Sequence, residues 1–290
     1  MTANQEIISK PFWASAIPIK FIKRHDKIAT GKINRTSSTK EVARYVSFVL
    51  PAGIIALWVA ATHLGWIKPY FIPKPETIFN RFIEMMTKDK FLNDFWISFH
   101  IMLIGYLLGA LFGLLNGISA GLSRFVDKFI SPTINVFRQV PPIAWLPIFI
   151  LFFGIGSTMK IVFLAMVVSI PIFLNTFQGI RSVSKEYLEV AQVFEYSSFQ
   201  TLKKVVLPAA FPAIFTSLRF CLGAAWGMIV FVEMMNGKNG MGWVLNDSME
   251  LLDTPRTYVT IVVIGFVGFA FDCILSLVEK NLMSWKRQAL

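Results

Sequence analysis

The chain has 290 residues with a mean hydropathy of +0.60; 55% of its residues are hydrophobic, 28 are Phe and 16% are charged. Those values exclude an ordinary soluble domain and indicate a membrane protein. A net charge of +11 would suggest nucleic acid in a soluble chain, but nine of the 28 Lys and Arg precede Tyr45 and the rest recur in alternate loops, so lipid rather than nucleic acid is the expected surroundings.

Residues 1–45 are basic and lack the continuous apolar stretch of a secretory signal, so they are expected to form a retained cytoplasmic extension, with 12–22 resting on the membrane surface. Charge-free stretches at 45–67, 95–123, 139–159 and 161–180 each approach the ~20 residues that a helix needs to cross a bilayer. Two more, 212–235 and 257–278, are interrupted by single charges. The expected architecture is therefore all-α, with six transmembrane helices over residues 46–290. Between the first two spans, Ile78, Phe79, Phe82, Ile83 and Met86 recur at helical spacing after Pro75, as in an amphipathic helix at the outer surface.

With the N-terminus inside, cytoplasmic segments hold 19 Lys and Arg, including Arg124, Lys128 and Arg138, against eight outside. The positive-inside rule thus places both termini and the 186–208 loop in the cytoplasm.

Pro141, Pro142 and Pro147 remove three backbone donors beside Trp145. Irregular backbone at membrane depth survives only when buried or facing a water-filled cavity, which makes this run a candidate pathway lining. The competing reading is proline in the first turn of a helix entering from the interface, which suits Pro141 better than Pro147.

The 186–208 loop carries the densest signal. Residues 186–194 favour a helix, and Ser197 with Gln200 forms a capping-box pattern that opens a second helix through Val206, with Pro208 expected to stop it. Ala191 and Ser198 are small enough for close backbone approach to a partner. Two short helices of this kind fit a docking element, whereas an amphipathic loop lying on the bilayer is the alternative.

Arg219 and Glu233 are charges within the fifth span, Arg219 in its cytoplasmic half and Glu233 near the outer mouth. Each either faces the bundle interior and marks a path, or snorkels to headgroups or solvent. Asp272 in the sixth span should lie at the depth of Arg219, and the two are expected to form an ion pair.

The loop resembles the cytoplasmic coupling loop of ABC-importer permease subunits, written EAA, three residues, Gly, nine residues, Ile-x-Leu-Pro. Here Glu189, Ala191, Val205, Leu207 and Pro208 fall at the matching positions, and Glu195 replaces the family glycine. The runs from Val140 to Pro147, Phe153 to Gly156 and Pro171 to Thr176 are similar to those of nitrate, sulfonate and taurine permeases. So are Leu218-Arg219, Ala225-Trp226, Val232-Glu233-Met234 and Gly240-Met241-Gly242. The resemblance implies an inner-membrane permease that pairs with a second copy, two ATP-binding subunits and an external solute-binding protein, and that moves a small anion such as a sulfonate, taurine or nitrate. It also implies that Glu189, Ala191, Glu195, Ser198, Leu207 and Pro208 couple the permease to the ATPase, which holds the ATP and Mg; no cofactor is expected in this chain.

Other chemistry finds little support. His25, His63 and His100 have no metal-ligand spacing, Cys221 and Cys273 no CxxC spacing, and Gly154-Ile155-Gly156 lacks the third glycine of a dinucleotide site. The phosphate-loop pattern does not occur. A self-sufficient transporter or channel would call for inverted repeats and ionisable residues clustered at the midplane, and a membrane-embedded enzyme for a convergent catalytic set; neither pattern is found.

Overall fold

The computed structural model describes residues 37–282, so the expected surface segment 12–22, and most of the expected 1–45 extension, lie outside the described residues. Among the described residues all regular structure is helical. Helix α1, Ser37–His63, falls almost wholly in the first of two compact units, residues 1–61 and 62–290. Its described apolar part is Val49–His63.

In the second unit α2, Pro75–Thr87, opens with its proline at the first position, where the missing donor is not needed. It is the expected amphipathic helix: Met85 is buried, Ile78 and Phe82 pack on the core, and Phe79 and Ile83 stay exposed. Arg81 anchors it by bonding Asp253 Oδ2 at 2.9 Å.

Among the described residues four helical runs are long and apolar enough to cross a membrane: α3 (Phe91–Leu122), α6 (Ser157–Arg181), the run Ser198–Asn236 and α11 (Thr254–Leu282). The centre of the fold is the seam between α3 and α6. Glycines 105, 109, 113, 117 and 121 recur every four residues on one face of α3, and the α6 backbone and side chains lie directly on them. A Cβ at Gly109 or Gly113 would sit 2.6 Å from the carbonyl oxygen of Ala165 or Ser169. Such close approach replaces the hydrophobic driving force that is lost between helices in lipid. Around it, Met102, Leu164, Val168, Ile172, Cys221, Ala225, Trp226 and Ile229 form the core.

The expected third span, 139–159, is not one helix. Helix α4 (Arg124–Phe137) and the stretch 142–153, a short 3-10 turn (Pro142–Trp145) leading into α5 (Leu146–Phe153), meet at 92°. Two consecutive prolines remove adjacent donors and hold the preceding residues out of helical geometry, with Pro141 extended at φ −52°, ψ 132°. Pro147 lies in the first turn of α5, contrary to the expectation that it fits a helix start poorly.

Pro208 does not end its helix. After α7 (Lys185–Val193) and the turn, α8 (Ser198–Thr201) passes through a π turn (Leu202–Val206) into α9 (Leu207–Asn236), making one 39-residue run. Leu207 N–H bonds Leu202 O, so the ladder is already widened where the proline ring and its missing N–H must be accommodated. Helix α10 (Met241–Glu250) then lies between α9 and α11.

Candidate coupling loop and translocation cavity

The loop is held at both ends by its own sequence. Ser184 Oγ accepts from Glu186 N to open α7, and Ser197 Oγ and Gln200 exchange bonds of 3.3 and 3.0 Å with each other's backbone N–H, the expected capping box. Between them the chain reverses in a Schellman turn. Tyr196 N–H bonds Ala191 O at 3.0 Å and Glu195 N–H bonds Gln192 O at 2.9 Å. Glu195 occupies the left-handed position of that turn at φ +53°, where glycine is at ease and a side chain costs about 1–2 kcal/mol.

Ala191 is the buried member of α7, while Glu189 and Ser198 are exposed. Tyr187, Val190, Val193, Phe194 and Phe199 are all more than half exposed, which leaves a row of large apolar groups on a polar loop. Leu207 is half-buried and Pro208 exposed at the entry to α9. Arg181, at the end of α6, pins the base of the loop to α4 through Asp127 at 2.9 Å.

The proline run borders a cavity of about 370 Å³. Arg138, Val140, Pro142 and Trp145 line one side, Met166, Ile170, Pro171 and Leu174 of α6 the floor, and Phe220, Ala224 and Met228 of α9 the other wall. Pro141 is not among the lining residues. Trp145 stacks on Phe137 at 4.8 Å, and its Nε1 has no acceptor.

Arg219 and Glu233 do not share this cavity. Arg219 turns to α11, where Nε and Nη2 grip Asp272 Oδ1 and Oδ2 at 2.8 and 2.9 Å and Nη1 reaches Glu279 Oε2 at 2.7 Å. Asp272 is thus the counter-ion expected from depth alone; Glu279, one heptad on, had not been foreseen. Of the two readings of Glu233, interior-facing or solvent-exposed, its burial supports the first: it has no exposed surface. It accepts from Ser98 Oγ at 2.6 Å and Gly242 N at 3.2 Å, and Lys160 Nζ lies 3.3 Å away with a side chain only 5% exposed.

This knot ties α3, α6, α9 and α10 together at one end of the bundle. Asp94 extends it by accepting from Gly240 N at 2.9 Å, and Ser98 Oγ accepts from Met241 N at 2.8 Å. Gly240, at φ +99°, lies against the Glu233 carboxylate, and a Cβ at Gly242 would stand 2.7 Å from Glu233 Cβ. The two glycines of the 240–242 motif are therefore what let a buried carboxylate be solvated by backbone.

Residues 105–284 match the model of the binding-protein-dependent transport system inner membrane component. The chain belongs to that family. It is 36% identical over 238 residues to a protein of Bacillus subtilis (strain 168) named as an aliphatic sulfonates transport permease, SsuC, covering 82% of this chain and 86% of the relative. It is 30% identical to the taurine transport system permease protein TauC of Escherichia coli (strain K12), covering 81% and 87%. In fold it is similar to a crystal structure of an amino acid ABC transporter, with a TM-score of 0.60 and 18% identity over 69% of this chain and 98% of that one. The chain is thus a multi-pass inner-membrane permease subunit of an ABC importer, driven by a partner ATPase and supplied by a binding protein; it is not itself the enzyme.

Proposed function

We propose that this permease carries a small organic sulfonate inward, working as two identical copies with two ATP-binding subunits, and that the 186–208 loop transmits the ATPase stroke. Both termini then face the cytoplasm, residues 1–45 form an extension to a permease domain of 46–290, and ATP and Mg act in the partner.

The observation that carries the coupling role is the exposed apolar row Tyr187, Val190, Val193, Phe194 and Phe199, set on two capped short helices. Large contiguous apolar groups on a water-facing loop favour burial against a partner. Arg181–Asp127 and the unbroken run into α9 would carry displacement of the loop into the membrane helices. The sulfonate assignment draws on the relatives named for aliphatic sulfonates and taurine.

Glu189→Lys and Ala191→Trp test the coupling role. Either variant should insert normally in the membrane yet lose the ATPase on affinity purification. Undiminished recovery of the ATPase with both variants would remove the loop from that role.

A further inference from the structure

The sharp bend after α4 puts a cation where the sequence gave no reason to expect one. Arg138, counted by sequence among the cytoplasmic residues, lines the 370 Å³ cavity beside Ile170, Pro171 and Met228. Ile170 is 13 residues from Ser157 and 11 from Arg181, so roughly 20 Å and 17 Å from the two ends of α6, near the middle of a helix long enough to span the bilayer.

The Arg138 side chain is exposed and has no hydrogen bond or ion pair among the described residues. The other lining groups are aliphatic, aromatic, a proline pair and the buried thiol of Cys221. An arginine at this depth is costly without an anion or water. The carboxylates of the described spans are already engaged: Asp94 with Gly240, Glu233 with Lys160 and Ser98, and Asp272 and Glu279 with Arg219. The same pairs occupy the carboxylates of the four long spans in a second copy of the chain, so the unpaired guanidinium fits a diffusible anion better than one of those groups.

We infer that Arg138 is the anion-binding residue of a substrate site inside the permease, holding the sulfonate head while the Met166, Ile170, Leu174 and Phe220 walls take the alkyl tail. A planar guanidinium suits the oxygens of a tetrahedral oxyanion. The cavity volume lies in the range of small-ligand sites. This inference rests on the importer reading and gives that reading its solute contact within the membrane.

The test uses the permease–ATPase complex in lipid nanodiscs without the binding protein, with radiolabelled 1-hexanesulfonate as probe. Saturable binding should weaken tenfold or more in Arg138→Gln and only a fewfold in Arg138→Lys, which keeps the charge. Hexanesulfonate should bind more tightly than methanesulfonate, by roughly fourfold for each methylene buried. Equal binding by wild type and Arg138→Gln, or no saturable binding by wild type, would overturn the inference. So would loss of the second permease copy in Arg138→Gln alone, which would make Arg138 an intersubunit contact. Failure of the ATPase to co-purify with wild type is a separate result, and it strikes the importer reading first.

Discussion

Replacing Lys160 by Met asks what the knot around Glu233 contributes. In the folded chain the Lys160 ammonium is 3.3 Å from Glu233 Oε1, and the two side chains are 5% and 0% exposed. Removing one member of a buried pair costs about 3–5 kcal/mol, because the remaining charge loses its counter-ion in a poor solvent. Glu233 keeps the Ser98 hydroxyl and the Gly242 N–H, so the lower end, about 3 kcal/mol, is expected. For a folded unit of this size that corresponds to a fall of about 6–12 °C in Tm, read by thermal unfolding of the purified permease in detergent. Lys160→Met combined with Glu233→Gln removes both charges and keeps an oxygen to accept from Ser98 and Gly242. The double variant should recover about 2 kcal/mol relative to additive singles. A Tm for Lys160→Met within about 2 °C of wild type, or a double variant no more stable than the sum of its singles, would refute the assignment of this pair as a structural clamp.

Glu195→Gly relieves the left-handed strain of the Schellman turn, and should slow hydrogen exchange at the Glu195 and Tyr196 amides by about fivefold, the equivalent of ~1 kcal/mol; faster exchange would mean that the Glu195 side chain holds the turn. Asp272→Asn should lower permease stability, and the swap Arg219→Asp with Asp272→Arg should recover part of it in the same unfolding assay; a swap no better than the single variants would count against pairing as the role of these charges. Gly109→Leu forces a side chain into the Ala165 carbonyl and should abolish folded permease by size-exclusion chromatography, whereas Gly223→Leu, with open space at its Cβ, should be tolerated.

What could be read from the sequence was local or set by simple counting. The loop's capping box needs only Ser197 and Gln200, three residues apart, and the Arg219–Asp272 pair follows from depth in two adjacent antiparallel helices. The bend at 138–141 was signalled by the double proline but masked by hydropathy, which averages over a window and cannot separate an apolar helix from an apolar turn. The partners of Glu233, Ser98 and Lys160, were not legible because they lie 135 and 73 residues away, beyond any local pattern. The glycine row from 105 to 121 is legible in the sequence as a repeated small-xxx-small spacing in an apolar helix, but the spacing alone does not say which helix packs on it.

Transport itself is the most direct test. The permease, its ATPase and its binding protein are placed in liposomes with ATP and Mg on the loop side, and uptake of radiolabelled taurine or ethanesulfonate is followed. Uptake should require ATP and all three components, and should stop in Ala191→Trp while the variant remains inserted. Uptake by liposomes that hold this chain alone, without the ATPase, would contradict the reading of it as one subunit of an ATP-driven importer.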